Sequence, residues 1–118
     1  MIRIYKENRY SIKIEFDEQG AKKLIDGLKQ SLNNEVGLIE ATDMISGKKI
    51  NMTFINNDDL NNIQFSKNNL IIELDSDEIE YAIERFTKSI IQKDFFPAEL
   101  CEGTLDKHNV TLYARYFE

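Results

Sequence analysis

The chain has 118 residues, 42% of them apolar and 31% charged, with a net charge of −6. That balance is enough for one globular domain with a real core. It excludes a disordered polymer, and no apolar run nears the ~18 residues that a membrane helix requires. Residues 1–59 carry −1 and residues 60–118 carry −5, a distribution that opposes a nucleic-acid backbone and favours encounter with a basic protein surface.

The opening MIRIYKENRYSI is charged throughout and lacks the apolar core of a secretory signal. The single cysteine, Cys101, excludes an internal disulfide and suits a reducing compartment. A cytoplasmic protein is expected.

Residues 2–6 and 10–16 alternate apolar and polar side chains around a short ENR break, the pattern of a β-hairpin. Asp17 opens a helix whose Ala21, Leu24, Ile25, Leu28 and Leu32 share one face, and Asn33 and Asn34 close it. Gly20 and Gly27 stand one above the other at the edge of that face and permit close packing. Strands are expected at 36–42 and 49–55, joined by a turn around Ser46 and Gly47. The same order then recurs. Strands at 62–65 and 69–74 precede a helix opened by Asp75, with Ile79, Ala82, Ile83, Phe86 and Ile90 on one face. Strands at 99–104 and 109–117 complete the chain.

The two halves match at an offset of 58. IKIEFD (12–17) lies over LIIELD (70–75), and all five apolar helix positions coincide. KINMTFI (49–55) lies over KHNVTLY (107–113), while GLIEAT (37–42) matches ELCEGT (99–104) at an offset of 62. The expected fold is therefore a single α+β domain over 1–118. It is an antiparallel sheet of about eight short strands with two helices on one side, arranged as a pseudo-two-fold tandem ββαββ repeat with units 1–58 and 59–118.

The most charged passage is LDSDEIEYAIERF, 74–86. Asp75 stands at the N-cap with Glu78 three residues on, a variant of the capping box. Asp77 and Glu78 occupy the first turn, where the helix dipole favours anions. Glu80 and Glu84 continue with Asp77 as a stripe opposite the apolar face, with Tyr81 beside it and Lys88 placed to pair with Glu84. The corresponding face of the first helix, Gln19, Lys22, Asp26 and Gln30, is mixed in charge. Asp77, Glu80, Tyr81 and Glu84 are thus the expected partner-binding residues, with Asp58 and Asp59 as further contributors.

Catalytic and metal chemistry find little material. One histidine and one cysteine do not make a transition-metal cluster, and there is no D-x-D-x-D-G calcium loop and no glycine-rich phosphate loop. His108 reads as a turn-edge residue, and Cys101 as a small core hydrophobe aligned with Ile39. Pro97, the only proline, ends any helix before it. Phe95 and Phe96 are expected to plug the core, and either one, if exposed, becomes a natural contact.

With these residues in view, the segment NLIIELDSDEIEYAIERFTKSI followed by FFPAELCE, in a small acidic α+β chain, resembles bacterial immunity proteins. These are paired with the toxic C-terminal domains of contact-dependent growth inhibition and other polymorphic toxin systems. The resemblance is one of general character across the whole chain. It implies a non-enzymatic inhibitor that binds a cognate toxin, often a nuclease, and blocks its active site or a surface needed for action; the acidic balance of this chain adds the expectation that the toxin presents a basic surface. No cofactor, metal, nucleic acid or membrane enters that expectation. A small-molecule-binding or regulatory domain, marked by a deep apolar pocket, is the alternative, and a carboxylate-dependent hydrolase comes after it.

Overall fold

The computed structural model describes residues 1–105 and 107–118. Among them the chain forms β1 (Ile2–Asn8), β2 (Ser11–Phe16), α1 (Glu18–Leu32), β3 (Leu38–Asp43), β4 (Lys49–Asn56), β5 (Asn62–Phe65), β6 (Asn69–Leu74), α2 (Ser76–Gln92), β7 (Glu99–Leu105) and β8 (His108–Tyr116). Among the described residues, no helix is long and apolar enough to cross a membrane.

Alternation along the strands builds the core. Ile2 and Ile4, then Ile12, Ile14 and Phe16, then Met52 and Phe54, then Leu70, Ile72 and Leu74 are all buried, while the residues between them are mostly polar; Arg3, Lys13 and Glu73 are partly exposed, and Glu15 and Thr53 are covered. Each such aliphatic or aromatic side chain contributes roughly 1.5–3 kcal/mol on full burial. The helices turn their stripes into the same core. Ala21, Leu24, Ile25 and Leu28 of α1 are buried, as are Ile79, Ala82 and Phe86 of α2, with Leu32, Ile83 and Ile90 partly covered beside them. The two helices also pack against each other. Two glycines set how closely α1 approaches its neighbours. A Cβ on Gly20 would lie 2.5 Å from the Met1 carbonyl oxygen, and one on Gly27 would lie 2.5 Å from Ile39 Cδ1.

The antiparallel sheet expected from the sequence is instead a mixed one. The strands close into a barrel in the order β1-β2-β8-β7-β5-β6-β4-β3. The four hairpin pairings, β1 with β2, β3 with β4, β5 with β6 and β7 with β8, are antiparallel. The four pairings that join one hairpin to the next are parallel. The reason is connectivity. A hairpin must reverse the chain, whereas strands joined by a helical crossover or brought together from distant segments need not. Two of the parallel pairings are long: β2 with β8 and β4 with β6 each run over six residue pairs. The other two, β1 with β3 and β5 with β7, engage at only two residue pairs and one.

Candidate partner-binding surface

Asp75 adopts an extended N-cap conformation, and its Oδ1 accepts the Glu78 amide at 2.8 Å. Asp17 does the same for Gly20 at the start of α1, also at 2.8 Å. The reciprocal half of the expected capping box is absent: the Asp75 amide donates to Asn61 Oδ1 at 3.3 Å, and not to Glu78. A loop side chain has taken the place that Glu78 would fill. Asp58 adds a second clamp, its Oδ1 accepting from the Ser76 amide at 3.2 Å and from Ser76 Oγ at 3.1 Å.

The cap and the stripe therefore separate. Asp77, Glu80, Tyr81 and Glu84 all lie exposed along α2. Glu84 pairs with Lys88 at 3.1 Å, one turn on. Asp58 is exposed but tied to the helix start, so its carboxylate serves the fold. Asp59 is exposed in the same loop, its amide held by Asn57 Oδ1 at 3.1 Å. Asp58 and Asp77 border one shallow depression at the N-terminus of α2, which brings the loop acids next to the stripe. The expectation for Phe95 and Phe96 divides: Phe95 is buried against Phe16 and Phe86, whereas Phe96 is 86% exposed.

One residue that carries this surface was not singled out from the sequence. Arg85 lies on α2 at the position corresponding to Gly27 on α1. Where Gly27 lets Ile39 touch the helix backbone, Arg85 fills the space between α2 and the 95–102 segment and is only 8% exposed. Its Nη1 donates to the Glu99 carbonyl at 2.7 Å, and its Nη2 donates to the Pro97 carbonyl. The guanidinium carbon sits 4.4 Å from the centre of the Phe95 ring and 5.2 Å from that of Tyr81. Buried charge is costly without such acceptors and aromatic faces. Its Nε has no partner among the described residues, and an unsatisfied buried donor costs about 1–3 kcal/mol. A signal was present in the sequence, since an arginine at the edge of an apolar helical stripe, opposite a glycine in the other half, is a local inconsistency.

Arg85 floors an open groove of about 460 Å³ between α2 and β7, walled by Tyr81 and Pro97 and flanked by Glu78, Glu99 and Glu102. Among the described residues, none of these three carboxylates has an ion-pair partner within 4.0 Å. Burial raises the Glu78 carboxyl above its ordinary value, Asp75 adds to the rise, and Arg85 opposes it. Cys101 also borders the groove but is buried, and desolvation pushes its thiol up to about 12, so it is protonated at neutral pH. His108 lies at the far hairpin, where its Nε2 accepts from Arg9 at 3.0 Å. No family model matches this chain, and comparison with curated proteins and with solved structures finds no match either.

Proposed function

We propose that this chain is a non-enzymatic, protein-binding inhibitor of the immunity-protein kind, which neutralises a cognate bacterial toxin by presenting an acidic face to a basic surface of that toxin. The observation that supports this reading is the exposed stripe of Asp77, Glu80, Tyr81 and Glu84, which borders a groove flanked by three further carboxylates that have no ion-pair partner among the described residues. A cleft built for phosphates is basic. An acidic helix face set against it speeds encounter by complementary charge, while aromatic contacts at its centre slow dissociation. Tyr81, on that face, supplies such a contact, and Phe96 is a second exposed aromatic, next in sequence to Pro97 of the groove wall. The open, carboxylate-flanked form of the groove favours a protein partner over the small-molecule alternative, which calls for an enclosed apolar pocket.

The expected partner is the C-terminal domain of a large secreted protein encoded beside this chain. Production of that domain in cells should arrest growth, and co-production of this chain should restore it. Continued arrest in the presence of well-folded chain would overturn the reading.

The scaffold that presents this face is, in our reading, a tandem ββαββ repeat with pseudo-two-fold symmetry. Its support is the recurrence of hairpin, capped helix and hairpin in both halves, together with strand register. Ile12 lies opposite Leu112 and Leu70 lies opposite Met52, so with Ile12 and Leu70 as counterparts, Met52 corresponds to Leu112. That shifts the last strands by two residues from the match of 49–55 with 107–113.

A further inference from the structure

We propose that the end of the barrel formed by its four hairpin turns docks on an anionic lipid bilayer, setting the Met44–Ile45 tip into the interface and resting the lysines around it on the headgroups. The proposal goes beyond the inhibitor reading and does not depend on it.

Topology creates this end. Strands run antiparallel within each hairpin and parallel between hairpins. So β1, β3, β5 and β7 all point one way, and the four turns emerge together. Both helices begin at the other end, after β2 and β6. Contacts draw the turns into one surface. The Met44 amide donates to the Ile4 carbonyl at 2.9 Å, the Lys6 ammonium lies 5.5 Å from the centre of the Phe65 ring, and Arg9 donates to His108 Nε2 at 3.0 Å. The first hairpin therefore touches each of the other three.

The charge of this end is opposite to that of the chain. Lys49 is offset by Glu40 at 3.0 Å. Lys6, Arg9, Lys48, Lys67 and Lys107 remain, against Glu7 and Asp43 among the described residues. Asp106, which the sequence places between β7 and β8, lies outside those residues. Counted with the acids it still leaves the hairpin end positive, in a chain of net −6. At its tip stand two consecutive apolar side chains, Met44 at 41% and Ile45 at 69% exposure. Asp43 ties that turn, its Oδ1 accepting from the Ile45 amide and its Oδ2 from Ser46 Oγ, each at 3.0 Å. Tyr10, exposed on the first turn, is of a type enriched at the membrane–water boundary.

These features select the occupant. Four of the five cations are lysines. Lysine is depleted in protein interfaces, where arginine and aromatic anchors carry the energy, whereas its hydrated ammonium suits the diffuse field of lipid headgroups. A nucleic-acid backbone would take the same charges but leave Met44 and Ile45 in water, because bases stack on aromatic rings. A bilayer supplies anions and hydrocarbon together over one plane. The acids at the start of α2 do not oppose the contact. The six-residue strands β2 and β6 set them roughly 15–20 Å away, about two Debye lengths at physiological salt.

The test is sedimentation of the full chain with sucrose-loaded vesicles at physiological salt. It should pellet with phosphatidylcholine vesicles containing about 30% phosphatidylserine and stay in solution with phosphatidylcholine alone. Lys48→Gln combined with Lys67→Gln should weaken binding by about thirty-fold, and Ile45→Ser by about ten-fold or more. Lys22→Gln combined with Lys88→Gln, on the helices, should leave it unchanged. All these residues are exposed, and an unmoved denaturation midpoint separates lost docking from lost folding. The chain has no tryptophan, so Ile45→Trp is a lone reporter whose emission should shift to the blue on the phosphatidylserine vesicles. Absence from the pellet, equal binding to phosphatidylcholine alone, an unshifted emission, or equal losses in the turn and helix variants would overturn the proposal. Binding of duplex DNA without binding of vesicles would assign this end to nucleic acid and overturn it as well.

Discussion

Asp75, Cys101 and Glu78 lie within one corner of the molecule and illustrate three different consequences of burial. Asp75 supplies an acceptor to an amide that has no intrahelical partner, so Asp75→Ala is expected to lower stability by ~0.5–2 kcal/mol, measured by denaturant midpoint. An unmoved midpoint would show that Asn61 and Asp58 hold the helix start unaided. Cys101 is buried with its thiol raised to about 12. The native protein at pH 8 should leave an aromatic disulfide reagent unreacted, and unfolding in guanidinium should release one thiol per chain. Fast reaction of the folded protein would place that sulfur at the surface. Glu78 has a folded-state value raised above its unfolded one, chiefly by desolvation. Its ionised form therefore costs stability at neutral pH, and that cost fades as pH falls through the raised value toward the ordinary 4.5. Glu78→Gln is expected to raise the melting temperature at pH 7 and to lose that advantage on acidification. A destabilised variant at pH 7 would mean that attraction to Arg85 outweighs desolvation.

At the scale of elements, the two helices share a cap and an apolar stripe but differ in how they meet the strands. Gly27 brings α1 close to β3, while Arg85 keeps α2 apart from β7 and opens the groove. The outer face of α2 is free of the core, so Glu80→Lys combined with Glu84→Lys should leave the denaturation curve nearly unchanged. It should also slow association with a basic partner and flatten the dependence of that rate on salt. Normal association kinetics in a well-folded double variant would move recognition away from α2, toward Phe96 and its neighbours. The position and capping of both helices were legible because period and cap chemistry are local. The burial of Arg85 was not, because its two carbonyl acceptors come from a segment 12 and 14 residues away in sequence.

For the whole molecule, closure depends on two long parallel seams, β2 with β8 and β4 with β6, that join the first half to the second. A fragment of residues 1–58 keeps both hairpins and α1 but exposes the edges of β2 and β4. Such edges are templates for pairing. The fragment is expected to self-associate, with each copy supplying the seam partners that the second half provides in the intact chain. Sedimentation showing a folded monomer would refute this and weaken the tandem-repeat reading. By itself, the sequence determined the α+β class, the eight strands and two helices in their order, the capped helix starts and most of the core, because each is written in spacing between near neighbours. Only the tertiary structure decided that the seams run parallel, that the sheet closes, that Phe95 turns inward while Phe96 turns out, and that Arg85 floors a groove beside the acidic stripe. Those depend on which distant segments meet, and residue periodicity carries no record of that choice.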